Sequence, residues 1–269
     1  MKKIALALAA LAAVSCGAQR KTVSDNKSDV APVESVTAVK SAASAETGKV
    51  AFALSLFNAS LSGKSLSANV VVSPYSAGMA LSMLAEGASG QTKEELTSAL
   101  NHASFAGDKL KGDKSCQLSS ANSIWLRDGF SVLPAYKSLL TGSYSAEINS
   151  RDFSSPATVK EINRWCSDKT NRKIPEIIDE ISPEMAMFIL NALYFKAPWE
   201  YQFDKNSTIK DTFHSPAGDQ EVDFMRIKRE FSCAEYEGGR FVILPYKGGA
   251  WQMMICLPEE GADIQKLVS

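Results

Sequence analysis

Phe188-Ile-Leu-Asn-Ala-Leu-Tyr-Phe195, followed by Lys196-Ala-Pro-Trp199, is the stretch on which the reading of this chain turns. Near-continuous apolar and aromatic character leaves no room for a solvated face, so the run reads as a strand buried on both sides of a sheet. Asn191 falls inside it. A buried amide costs about 1–3 kcal/mol unless its donors and acceptor are paired, so the strand carries a polar contact that packing alone does not require. Two readings stand side by side: a contact with a functional role, or an amide that staples one neighbouring backbone group.

The segments around this strand have their own punctuation. Towards the N-terminus, Thr47 to Ser62 places Phe52, Leu56 and Ala59 on one face at helical spacing, with Gly63 as the stop. Asn69-Val-Val-Val72 is a short β-branched run ended by Ser73-Pro74, and proline suits the first turn of the helix expected over Tyr75 to Glu86. Gly87-Ala-Ser-Gly-Gln-Thr-Lys93 has phosphate-loop composition in the wrong order and after a helix instead of a strand. Thr92 and Glu95 there suggest a capping box that opens a helix over Lys93 to Leu100. Gln117 to Arg127 and Ser145 to Phe153 read as strands, with a helix over Leu133 to Gly142 between them. Ser154-Ser-Pro156 starts another helix, with Val159, Ile162, Trp165 and Cys166 as its apolar stripe. After Trp199, short strands separated by Pro216-Ala-Gly218, Gly238-Gly239 and Lys247-Gly-Gly249 suggest an antiparallel meander. Helices first and strands later favour an α+β fold.

The chain has 269 residues, 45% apolar and 22% charged, with a net charge of -1. That balance, with no basic stripe, argues against nucleic acid as a partner. Only His102 and His214 are available, neither beside a Cys pair, which argues against a metal centre or a histidine-based catalytic apparatus; no cofactor is expected. Ser24-Asp-Asn-Lys27 superficially joins two elements of penicillin-recognising enzymes, but no supporting Lys-Thr-Gly occurs and no Gly-x-Ser-x-Gly elbow exists. The chain is not read as an enzyme. Cys116, Cys166, Cys233 and Cys256 have irregular spacing and read as separate buried thiols.

Met1-Lys-Lys3 followed by the apolar stretch Ile4 to Val14 has the build of an export signal. Ala13-Val-Ser-Cys16 resembles a bacterial lipobox, which makes Cys16 the expected lipidated residue and membrane anchor; a plain signal peptide cleaved elsewhere is the alternative. Residues 17–46 are expected to be a flexible tether and 47–269 the folded body.

Several motifs in that body, in order, resemble the serpin family of suicide inhibitors of serine and cysteine proteases. They are Asn69-x-x-x-Ser73-Pro-x-Ser76, Gly87-Ala-x-Gly-x-Thr92, Ala121-Asn122-x-Ile-Trp125, and Ile162-Asn163-x-Trp165 with Thr170-x-x-Lys173-Ile174. Asn191-Ala-x-Tyr-Phe-Lys-x-x-Trp199 and Leu244-Pro-Tyr246 with Ile255-x-Leu-Pro258 continue the series. The resemblance implies a multi-helix domain packed on mainly antiparallel sheets. It assigns Ser73, Ser76 and Asn191 to the shutter that controls sheet opening, and Trp199 to the breach at the top of the same strand. For each serine a plain helix N-cap is the simpler reading. The resemblance also implies that the reactive loop and the last strands lie beyond Ser269, so that this chain by itself has no bait residue and is expected to be inactive, with an edge of the Phe188–Phe195 strand exposed. The short connection between Leu100 and Gln117 is expected to lack the helix that some relatives use for polyanions. A non-inhibitory surface lipoprotein on the same scaffold is the alternative.

Overall fold

The computed structural model describes residues 33–61, 69–182, 184–215, 218–236, 238–260 and 262. Cys16, the export signal, residues 17–32 and Gly63 lie outside the described residues. Helix α1 spans Val33–Leu61, so the tether expected through residue 46 is helical from Val33 onward. Composition supplies the reason. After Pro32 there is no glycine before Gly48, and alanine recurs at 38, 42, 43 and 45, so a helix established on its packed half extends backward at little cost.

Helix α2 (Pro74–Gly87) opens at Ser73 with proline in its first turn, as the sequence predicts. Asn69 to Val72 forms no strand, since no described neighbour offers it a ladder. Helix α3 is Gly90–Ala99, not Lys93–Leu100. Gly90, at φ 57, turns the chain sharply enough to start the helix before Thr92, and Glu95 accepts from the Gln91 amide at 2.8 Å instead of closing a capping box.

The central sheet follows. Strand β1 (Gln117–Arg127), helix α4 (Pro134–Ser143) and strand β2 (Ala146–Arg151) form a parallel crossover, and strand β3 (Met187–Lys196) joins antiparallel on the other side of β1. The order is β2-β1-β3, so β3 stands at the sheet edge among the described residues, as expected. Its Ala192, Leu193 and Tyr194 are buried in succession, and β1 is likewise buried on both faces from Asn122 to Leu126. Its Ile124 and Leu126 enter a core with Phe52, Met79, Met83 and Leu140, while Trp125 on the opposite face meets Phe153, Ile162 and Leu190. Ile162 comes from helix α5 (Pro156–Lys169), capped at Ser155.

The later strands make two sheets in place of one meander. Strands β4 (Ile209–Ser215) and β5 (Gly218–Phe224) form a hairpin, and β6 (Cys233–Tyr236), β7 (Gly239–Pro245) and β8 (Gln252–Pro258) form an antiparallel triplet. The eight residues Met225 to Ser232 between them hold no regular structure, which breaks the run. Cys116 and Cys166 are buried, and burial pushes the Cys166 thiol up to about 11, an inert state. Cys233 and Cys256 are exposed, contrary to expectation. They sit opposite Val242 and Phe241, consecutive residues of β7, and therefore on opposite faces of the sheet.

As expected, the described connection between α3 and β1 holds no helix. It is nonetheless part of the core. Phe105 lies edge-on to Phe52 and Tyr75, with centroids 6.0 and 6.1 Å away, and its ring fills the space where a side chain at Gly78 of α2 would stand. Gly78→Ala is therefore expected to lower stability by about 1–3 kcal/mol through overlap with that ring. Urea denaturation reads this as a lower midpoint at unchanged slope, and an unaltered midpoint means that Phe105 does not seat there.

Candidate functional site

Asn191 and Asn122 face each other directly across the β1–β3 ladder. The Asn191 amide donates to Asn122 Oδ1 at 2.8 Å and to Ser120 Oγ at 3.1 Å. The Asn122 amide in turn donates to the Tyr144 carbonyl at 2.7 Å, at the C-terminal end of α4. A relay of side-chain amides thus ties the edge strand, the central strand and a covering helix. It is incomplete: Asn191 Oδ1 is buried with no partner. The orphan acceptor costs about 1–3 kcal/mol, and it lies on the one strand of this sheet that combines an apolar sequence with an open side.

Ser73 and Ser76 belong to the neighbouring helix α2. Ser73 is buried, its hydroxyl accepts from the Ser76 backbone N–H at 3.3 Å, and it donates to Ser76 Oγ at 3.0 Å. This is an N-cap with a second hydroxyl attached. Among the described residues no hydrogen bond joins either serine to Asn191. The structure brings Asn191 together with Asn122, Ser120 and Tyr144, and leaves the two serines as a separate pair beside Tyr75, whose buried hydroxyl sits next to Ser120 without reaching hydrogen-bond geometry.

Trp199 closes the other end of β3. It stacks on Tyr246 at 4.5 Å and 9°, and Phe195 meets both Tyr246 and Trp251 edge-on at 5.0 and 5.9 Å. Backbone bonds flank the stack, Glu200 N–H to the Pro245 carbonyl and Lys247 N–H to the Pro198 carbonyl, both at 2.9 Å. The aromatic cluster therefore welds the end of the central sheet to the β6-β7-β8 triplet. Offset aromatic contacts of this kind contribute about 0.5–1.5 kcal/mol per pair beyond the area they bury.

Asn122, Ser120, Tyr144, Tyr246 and Trp251 escaped the sequence assignment of site residues. A signal existed for Asn122, an amide in a strand-like run, as for Asn191. For Tyr246 and Trp251 no local signal exists, because their role depends on a contact with residues far away in sequence. Among the described residues no cluster of His, Cys, Asp and Glu could hold a metal ion, and no helix is long and apolar enough to cross a membrane.

Comparison with known proteins adds a separate finding. A family model described as Serpin (serine protease inhibitor) matches residues 47–269. An uncharacterized serpin-like protein of Thermococcus kodakarensis is 35% identical over 207 residues, covering 72% of this chain and 49% of that protein. A serine protease inhibitor of Cyanea capillata is 35% identical over 212 residues, covering 71% of this chain and 56% of that protein. The crystal structure of a thermophilic serpin, tengpin, in the latent state superimposes with a TM-score of 0.74 at 30% identity, covering 82% of this chain and 62% of that one. The chain spans about half the length of the curated relatives it matches.

Two outcomes are expected from the geometry. Asn122→Leu strands the Tyr144 carbonyl and leaves the Asn191 amide with Ser120 alone, at a cost of about 2–4 kcal/mol, whereas Asn191→Leu strands Asn122 Oδ1 but also removes an already orphaned oxygen and costs less. Equal midpoints in urea for the two variants contradict the relay. Burial raises the phenol of Tyr144, with Glu86 adding to it, and burial likewise raises Tyr75. A proton held more tightly in the folded state contributes stability that is complete below the ordinary phenol value near ~10 and is lost progressively as pH rises from there towards the raised folded value. Denaturation midpoints should therefore fall as pH rises above ~10, and less steeply in Tyr144→Phe.

Proposed function

The chain belongs to the serpin family, and from that premise we propose that its activity is inhibition of serine (or cysteine) endopeptidases by suicide-substrate trapping, with these residues supplying the sheet that receives the cleaved loop. The target protease attacks an exposed loop as it would a substrate. Its nucleophile forms an ester or thioester with the loop carbonyl, the peptide bond breaks, and the new amine end departs. The loop still joined to the protease then inserts as a strand and carries the enzyme away from the geometry needed for hydrolysis. Each added ladder bond contributes about 0.5–1.5 kcal/mol net, so a whole strand outweighs the cost of distorting the protease only if the receiving sheet parts easily.

One observation carries this reading. Among the described residues β3 ends the central sheet with an unpaired edge and carries a buried, partnerless amide oxygen. Both are acceptor or ladder positions that an added element would satisfy. In this reading Asn191, with Ser73 and Ser76 at the foot of α2, forms the shutter, and Trp199 the breach. The polar contacts there exchange partners when strands separate, which interlocked aliphatic side chains do not do. Trapping needs a bait loop as well as the receiving sheet that these residues supply. The signal-like stretch from Met1 to Val14 and the lipobox-like Ala13-Val-Ser-Cys16 support export with a lipid anchor on Cys16.

The complete coding region, expressed and mixed with a panel of serine proteases, is expected to give a covalent complex that survives SDS. Clean cleavage without a complex across the panel removes the inhibitory claim and leaves the alternative of a non-inhibitory surface lipoprotein on the same scaffold. Labelled palmitate should enter the wild-type protein in exporting bacterial cells and not Cys16→Ala; equal labelling rejects the anchor.

A further inference from the structure

The connection between β5 and β6 contains Arg226-Ile-Lys-Arg229, three cations in four residues. Met225 to Ser232 adopts no regular structure, and Arg226, Lys228, Arg229 and Glu230 are exposed. Among the described residues no backbone hydrogen bond engages Met225 to Phe231; the Ser232 carbonyl is the first to be used, accepting from Ile243. The side chains are almost as free. Arg226 approaches Asp211 at 3.8 Å with both partners more than half exposed, an interaction of little consequence. On its inner side the segment walls an open groove of about 1050 Å³, facing Glu200, Tyr201, Phe203 and Asp204. The backbone is thus unpaired from Met225 to Phe231, and the segment meets the wall opposite through Phe231, edge-on to Tyr201 at 6.1 Å.

These are the requirements of a protease substrate. An endopeptidase binds its substrate as an extended strand through main-chain hydrogen bonds, and the trypsin class selects Arg or Lys through a carboxylate at the base of its specificity pocket. We propose that Arg226–Glu230 is a second, loop-independent cleavage site for Arg/Lys-directed serine endopeptidases. The step is ordinary hydrolysis: the carbonyl of Arg226, Lys228 or Arg229 passes from the nitrogen of the next residue to the protease serine and then to water, leaving a carboxylate and a free amine. No trap operates here. The site does not depend on the inhibitory reading, because it predicts turnover and release where trapping predicts a retained covalent adduct.

Other cationic segments are less suitable. Arg172 has a left-handed backbone at φ 62, and its N–H and that of Lys173 are held by Ser167 and Thr170, so that turn must unfold before it can be cut. The segment holding Lys111 and Lys114 is folded on itself by Asp113, whose carboxylate accepts from the Ser115 and Cys116 N–H groups and whose own N–H donates to the Cys116 carbonyl. A cut at 226–230 also has a defined consequence. The β6-β7-β8 triplet stays bound through the Trp199–Tyr246 stack and the two backbone bonds that flank it, giving a nicked, two-fragment protein.

Limited digestion of the full 269-residue chain with trypsin, followed by intact mass measurement, tests this. Among bonds in the described residues, those after Arg226, Lys228 or Arg229 should be cut first, and the two fragments should co-elute in native size exclusion and separate in denaturant. The variant R226Q/K228Q/R229Q should lose that cut and show at least a tenfold slower appearance of the C-terminal fragment, with an unchanged thermal midpoint. First cleavage after Lys111, Lys114 or Arg172, or an unaltered rate in the triple variant, overturns the proposal. A covalent trypsin adduct at this site in place of free fragments overturns it as well.

Discussion

Burial of β1 on both faces is the constraint on which the rest of the structure rests. From Asn122 to Leu126 the strand lies between β2 and β3, with α2 and α4 on one side and α5 on the other, so nothing polar there can turn to water. Yet it carries Asn122 and Ser123 in its most buried part. Each must find its partner inside. Ser123 accepts from the Trp125 indole N–H at 2.9 Å, and Asn122 is consumed between Asn191 and Tyr144. Satisfying these groups fixes the register of three elements at once, because a slip of one residue would turn each amide to the wrong face.

Legibility followed the same division. Elements whose apolar pattern is local, such as α2 and α5, and those punctuated by proline or glycine, such as β7 and β8, could be read with small boundary shifts. The doubly buried part of β1, Asn122 to Leu126, was less plain, since it opens with Asn122 and Ser123, polar residues that read as solvated until their partners are known. β3 could be read: its aromatic, aliphatic run announces burial on both faces, Ala192, Leu193 and Tyr194 are buried in succession, and the strand stands at the sheet edge among the described residues. Asn191 was visible because an amide in such a run is chemically anomalous; the acceptors and donors it meets lie about seventy residues earlier and left no local trace. The N-cap of α3 was misplaced because a left-handed glycine outweighed a capping box that looked complete in sequence.

The aromatic weld at the end of β3 gives the molecule a second centre of order. Phe195, Trp199, Tyr246 and Trp251 bring together a strand end, a loop and two later strands, so the β6-β7-β8 triplet is positioned by ring contacts more than by any shared ladder. Such contacts tolerate small rotations better than a hydrogen-bonded sheet does. The amide relay in the middle of β3 is directional, and the weld at its end is not.

The pairing of β1 with β3 runs from Gln117 opposite Lys196 to Leu126 opposite Met187. In the order of synthesis, β1, α4, β2 and α5 therefore emerge as a parallel unit before their antiparallel mate exists. At roughly 5–20 residues per second, the ribosome leaves one side of β1 uncovered for several seconds. Through that interval Asn122 has no Asn191 to receive, and the nascent chain presents a bare ladder to whatever strand is nearest. Yield in the cell is thus set by what shields β1 while translation proceeds, a demand on chaperones that equilibrium stability does not measure.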